Sequence, residues 1–297
     1  MNWQDEMITL FLFIHKHFKS SLAWHCTRMA NYSDLSFTDE EVMTIFIFGI
    51  MNKQRTIKEI YNHVNNYMRE WFPKLPGYAA FSHRINKLPE AFIPLIEKLQ
   101  LLIPEYFSQD LHRVIDSMPI VMAQNNRRFN AKVAHELADK GGYCSAKNLY
   151  YYGVKLHLIG SYQVGSMPIP EYIGLTAAGV SDRKAYEQIS QELPKMNLFA
   201  DKAYQKGTNP LFSEGQLQIF TPVKKAKGQE FLDAADQLLS TAVSKIRQPI
   251  ESLNNWIQEK TSIQTASKVR SSNGLLVHVF GRLATAMYML VQKLMSF

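Results

Sequence analysis

The sequence predicts a mixed α/β domain preceded by an all-helical one. Two observations carry this. Up to about residue 110, apolar residues recur at the 3.6-residue spacing of amphipathic helices; beyond Asp110 the spacing falls to two, the mark of half-buried strands. The later segments then run β-β-β-α-β-(β)-α, an order that suits a mixed sheet with an antiparallel start. The 297 residues divide on this reading into 1–110, helical, and 111–297, α/β with C-terminal helices.

Residues 3–18 and 38–51 are dense in apolar residues at helical spacing. Thr38 suits the N-cap of the second segment, because its hydroxyl can accept an otherwise unpaired backbone N–H. Asp39, Glu40 and Glu41 suit the positive end of the helix dipole. In TIKEIYNHVNNYMREWF (56–72), Ile57, Ile60, Tyr61, Val64, Tyr67, Met68 and Trp71 form one apolar stripe. PKLPG (73–77) stops it. YAAFSHRINKL (78–88) resumes the period with Ser82, His83, Arg84, Asn86 and Lys87 on its polar face, and a further helix is expected from about Glu90 to Phe107. The 56–72 and 78–88 pair is a candidate helix-turn-helix, with Arg84 and Lys87 as candidate DNA contacts.

In the second part, strands are expected at 112–121, 149–160, 170–178, 196–201 and 217–223, and helices near 183–193, 229–243 and 249–261. Pro119 should end or bulge the first strand, since proline cannot donate to a ladder. The polar, glycine-containing segment 123–148 reads as a long mobile insert.

Lys+Arg is 33 against 26 Asp+Glu, a formal charge of +7 with pI near 9.2, which suits a polyanionic partner such as nucleic acid. Cys26 and Cys144 form neither a disulfide framework nor a zinc spacing, and so fit a reducing, cytoplasmic setting. The N-terminal apolar run follows Asp5 and Glu6 and has no basic leader, so no signal peptide is expected. The run 274–297 has the length of a membrane span, but Arg282 near its middle, with His278, Gln292 and Lys293, argues for a core helix with one polar edge.

The first strand, VIDSMPI (114–120), poses a chemical question. It is apolar on both faces, yet it contains Asp116, and carboxylates are rarely buried without a partner or a metal. Asp201 ends a second apolar run, NLFAD, and Glu251 lies in a helical segment. Brought together, three acids would repel unless divalent cations neutralised them, and hard oxygen ligands suit Mg²⁺ or Mn²⁺. A pair of such ions brackets a phosphodiester. Each acid also has a simpler reading: Asp201 as a turn residue, and Glu251 as an early helix position after Pro249 or as the i+4 ion-pair partner of Arg247.

VIDSMPI, YYGVKLHLI, NLFADKAYQ and RQPIESLNNWI together resemble the blocks of bacterial insertion-sequence transposases of the DDE class, most nearly the group numbered nine hundred and eighty-two. The resemblance extends over YAAFSHRINKL and GLLVHVFGRLATA; Ala203 stands where the family motif has glycine. It implies a ribonuclease H-like mixed sheet with flanking helices, in which the first and fourth strands are neighbours. It also implies that Asp116, Asp201 and Glu251 are the catalytic, metal-holding acids, with two Mg²⁺ or Mn²⁺ ions per site. The implied activity is hydrolysis at element ends followed by 3′-hydroxyl transfer into target DNA. The implied partners are terminal inverted repeats and target DNA, in a homodimer when ends are paired. The family's signature around the third acid is incomplete: Arg247 is present, but Ser244 and Gln258 occupy the tyrosine and lysine slots, and Lys260 is the nearest substitute.

Lys202, beside Asp201, is a further candidate phosphate contact, as are Arg127 and Arg128 in the insert and Lys224 and Lys225 after the fifth strand. Asp182 is a rival acid that also suits a helix start, and His157 suits a hydrogen-bonded core position. Two other functions use the same residues: a non-catalytic DNA-binding regulator derived from a transposase, and a generic ribonuclease H-like nuclease.

Overall fold

A computed structural model describes residues 2–26, 35–103, 112–162, 164–205 and 217–295. The chain forms two compact units, Met1–Ile103 with Ile257–Phe297, and Pro104–Trp256.

The first unit opens with five helices: α1 (Trp3–Ser20), α2 (Asp39–Met51), α3 (Ile57–Tyr67), α4 (Tyr78–Ile85) and α5 (Pro89–Gln100). Thr38 caps α2: its hydroxyl accepts from the Glu41 N–H at 3.2 Å, and the Glu41 carboxylate accepts from the Thr38 N–H at 2.6 Å. Val42 through Ile50 are all buried, so α2 is apolar all round and forms the centre of the unit. α3 stops at Tyr67, short of the expected 72, because the chain turns at Met68 and Arg69 donates to the Leu75 carbonyl at 2.9 Å. Residues 68–77 therefore separate α3 from α4, a longer link than the roughly three- or four-residue turn of a helix-turn-helix. Tyr61 holds the pair together through ring contacts with Tyr78 and Phe81.

The second unit is built on a mixed sheet of β1 (His112–Gln124), β2 (Asp139–Cys144), β3 (Leu149–Ser161), β4 (Ile169–Ala177), β5 (Asn197–Phe199) and β6 (Gln218–Phe220), with α6 (Asp182–Ile189) between β4 and β5. β3 lies antiparallel to β1 and carries β2 along its first half and β4 along its second. On the other side of β1, β5 and then β6 run parallel to it. The pairing of β1 with β5 brings the first and fourth expected strands side by side, consistent with a ribonuclease H-like arrangement. β1 runs through Pro119, and its irregularity falls later, between Val121 and Ala123. The reason is that β5 pairs only with His112–Val114, so β1 is an edge on that side beyond Val114 and tolerates a residue without an N–H. Opposite the irregularity, Gly153 is held so close that an added Cβ would lie 2.0 Å from the Ile120 carbonyl oxygen. The expected mobile insert is instead ordered: residues 125–130 form a 3₁₀ turn, and β2 pairs with β3 through Tyr143 and Tyr150.

α7 (Ala234–Thr261) is one helix where two were expected. Pro249 lies inside it rather than at its start, and Val243, Ile250 and Leu253 are buried along it. The chain then forms α8 (Ser272–Leu276), a π-helical turn (Val277–Gly281) and α9 (Arg282–Met295). These last helices group with the front helices, not with the sheet, unlike the division of the sequence at 110; that boundary itself lies outside the described residues. The physical reason is mutual burial. The π turn sits against α2 and α5, where a Cβ on Gly281 would come within 2.6 Å of the Phe46 ring and 3.4 Å of Phe92. The run Ser272–Leu294 is long and apolar enough for a membrane span, and most of it is buried inside the chain. Arg282 is buried there, donating to the carbonyls of Thr261 and Arg55 and, at 3.2 Å, to His278 Nδ1.

Candidate active site

Alternation along β1 decides which side chains meet. Val114 and Asp116 project from one face, and Ile115 and Ser117 from the other. The last β1–β5 pair is Val114 with Phe199; two residues further along each strand stand Asp116 and Asp201. β5 ends at Phe199, and Asp201, with an extended backbone, stands just past it as the residue before a 3₁₀ turn. Both charges, after burial and that of Asp182, push up the phenol of buried Tyr204, which lies just past Asp201.

α7 supplies the third group of residues to Asp116. Arg247, Glu251 and Asn254 follow i, i+4, i+7 spacing and so share one helix face. Asn254 Nδ2 donates to Asp116 Oδ2 at 3.0 Å, Arg247 lies 4.0 Å from Asp116 Oδ1, and Arg247 also pairs with Glu251. Burial pushes the Asp116 carboxyl up to about 6, against the pull of Arg247 and a Ser117 backbone hydrogen bond; Glu251 adds to the rise and Asn254 opposes it. The site thus contains a carboxylate with less positive charge around it than its burial requires.

Among the described residues, no group of three or more His, Cys, Asp or Glu side chains is close enough to hold one ion. Glu251 is turned to Arg247 and is half exposed. The candidate donors are hard oxygens, a chemistry that fits a hard divalent cation.

The other sequence candidates divide clearly. Arg84 is a correction: its guanidinium makes a two-pronged ion pair with buried Asp39 and donates to the Cys26 carbonyl at 2.7 Å. It is structural because a carboxylate buried at the start of α2 needs a cation. Lys87, Lys202, Arg127 and Lys224 are exposed. Lys225 donates to the Glu230 carbonyl at 2.7 Å, and Arg128 is stacked between two rings. Gln258 accepts from the Gln264 N–H at 2.8 Å, and Lys260 pairs with Glu259 at 3.2 Å, so each has a local role. Asp182 accepts from Lys155 and from Ser117 Oγ, each at 3.0 Å, on the sheet face opposite Asp116. His157 is buried there with Nε2 2.8 Å from Thr176 Oγ1, and burial lowers its pKa to about 4. Sequence reading missed Asn254, although its seven-residue offset from Arg247 was a usable signal; Tyr204 is the tyrosine of the ADKAY block, but its burial was not legible there.

The helical unit contains a separate cleft of about 790 Å³ whose lining includes Arg55, Lys58, Lys268 and Arg270. None of the three candidate acids lines it.

Comparison with known families gives one match: a family model described as a transposase DDE domain aligns with residues 109–271, more than half of the chain. No curated protein and no solved structure matches.

Proposed function

The chain belongs to the transposase DDE domain family, and on that premise we propose that it cuts and joins DNA at the ends of its own insertion element. The observation that carries the reading is Asp116, a carboxylate in the central strand that meets the Arg247–Glu251–Asn254 side of α7. Asp116, Asp201 and Glu251 are the residues that would hold two Mg²⁺ or Mn²⁺ ions. When bound, such ions supply Lewis-acid activation of water and stabilisation of the leaving oxygen.

The chain's own groups do the rest. Asn254 fixes the Asp116 carboxylate by donating to Oδ2, so its other oxygen is presented on the site side. Arg247 holds Glu251 and is positioned to meet a phosphate once Glu251 turns away. In the first reaction a water oxygen bonds to the end phosphorus and the P–O3′ bond breaks, leaving a 3′-hydroxyl on the element. In the second that 3′-oxygen bonds to a target phosphorus and a target P–O3′ bond breaks. Lys202, Lys87, Arg127, Lys224 and the basic cleft of the helical unit are the proposed grips on the DNA backbone. The finer assignments, to the group numbered nine hundred and eighty-two and to a dimer that pairs two ends, belong to this proposal.

The test uses duplexes from the DNA flanking the chain's reading frame, with Mg²⁺. Wild type should cleave at the terminal repeats and join the freed 3′-ends to a target plasmid. Asp116→Asn should bind the same duplex and do neither. Cleavage by Asp116→Asn at the wild-type rate would overturn the assignment; free nicks without joining would point to a nuclease.

A further inference from the structure

The ordered insert presents a surface that the carboxylate site does not use. Tyr143 and Tyr150 are register partners on β2 and β3, with ring centres 4.6 Å apart. The Arg128 guanidinium lies 4.6 Å from the Tyr150 ring centre and 4.5 Å from that of Phe129. Four flat groups, Phe129, Arg128, Tyr150 and Tyr143, therefore follow one another across the surface. The three rings are 58%, 53% and 47% exposed in that order of Phe129, Tyr150 and Tyr143.

The groups are held in place. Tyr143 Oη donates to Asn148 Oδ1 at 3.1 Å, and Arg128 Nη1 donates to the Lys140 carbonyl at 3.4 Å. Around them, residues 123–148 carry five cationic side chains and two anionic ones. One of those anions, Asp139, already accepts the backbone N–H groups of Gly141 and Gly179 at 2.8 and 2.7 Å. The patch is thus aromatic and positively charged.

We propose that this patch is a stacking platform for unpaired bases of DNA, a reading that rests on the proposed action on DNA. Bases offer π-faces to rings and guanidinium, and their phosphates match the surrounding cations. Bases inside a duplex hide their faces in the stack, so only unpaired ones can use it. The patch begins past Gln124, eight residues along β1 from Asp116 and so roughly 27 Å from it at strand rise. It would take bases melted from the duplex at some distance from the cut.

The test is fluorescence anisotropy of the full chain with a labelled oligo-dT strand and with a labelled duplex of the same length. The double variant Phe129→Ala/Tyr150→Ala should weaken single-strand binding by about tenfold or more, the cost of losing stacked bases. Its duplex affinity should stay within about twofold, because phosphate contacts dominate there. Tyr150→Phe, which keeps the ring, should behave as wild type. Equal losses on both DNA forms, or no loss on the single strand, overturn the platform while leaving DNA action intact. Binding of neither form by wild type overturns the functional reading and the platform with it. A change of oligomeric state in the double variant with single-strand binding intact would make the patch an interface between copies and also overturn the proposal.

Discussion

Asn254 donates its side-chain amide hydrogen to Asp116 Oδ2 at 3.0 Å across 138 positions of chain. The bond favours the ionised carboxylate, and its removal should push Asp116 further above its ordinary value. Asn254→Ala should therefore shift the acidic limb of the pH–rate profile for end cleavage to higher pH, with little change in duplex affinity. An unmoved limb would show that Asn254 does not tune Asp116.

The raised Asp116 carboxyl also fixes the sign of a stability effect. Its folded pKa, about 6, exceeds the ordinary 3.8. The folded state thus favours the protonated acid, and that contribution is full below about pH 4 and lost as pH rises through 6. Asp116→Asn should stabilise the metal-free chain at pH 7, by at most about 3 kcal/mol at 1.36 kcal/mol per unit, and leave it unchanged at pH 4. Mg²⁺ should raise the melting temperature of wild type at pH 7 and not that of the variant. Denaturant and thermal melts at the two pH values check both.

Arg84 gives the opposite kind of prediction. Asp39 is buried and Arg84 grips both of its oxygens, so losing either partner, Arg84→Ala or Asp39→Ala, should lower stability in urea unfolding, by up to about 3 to 5 kcal/mol. Where the variants remain folded, duplex binding should persist. Selective loss of DNA affinity at full stability would return Arg84 to the DNA contacts.

His278 makes the helical unit sensitive to acid. Burial first, then Arg282, lowers its pKa to about 3, while a hydrogen bond to the Ile263 carbonyl opposes the shift. Between pH 6.5 and 3 the unfolded chain takes up a proton that the folded chain refuses, so stability falls as pH falls. His278→Gln offers a donor to Ile263 and an acceptor to Arg282 without titrating, and should flatten that fall. Because His157 titrates in the same direction, the difference between variant and wild type is the measured quantity.

Much of this architecture is legible along the chain because it follows from local period. The helices of the front and the strands through Asp116, His157 and Leu198 were read from spacing two or 3.6. β2 was not, because DKGGYC has glycines where a strand signal needs β-branched residues, and its pairing depends on Tyr150 across the turn. The partnership of Arg84 with Asp39 was invisible for another reason: a cation at helical spacing looks the same whether it faces water or a buried acid. The grouping of residues 257–297 with the front helices is likewise a long-range packing outcome that no local pattern encodes. At the site, the strand position of Asp116 was readable, and so was the place of Asp201 just past an apolar strand, whereas the turn of Glu251 toward Arg247 was legible only as one of several readings.

Pro249 stands between Arg247 and Glu251 within α7. With no N–H to offer, it leaves out one rung of the helix, the one that would tie back to the Lys245 carbonyl. The turn bearing both charged neighbours of Asp116 is accordingly tied by one backbone bond fewer than the turns beside it. Of the candidate acids, Glu251 therefore stands on a helix interrupted two residues before it, while Asp116 stands within a paired strand.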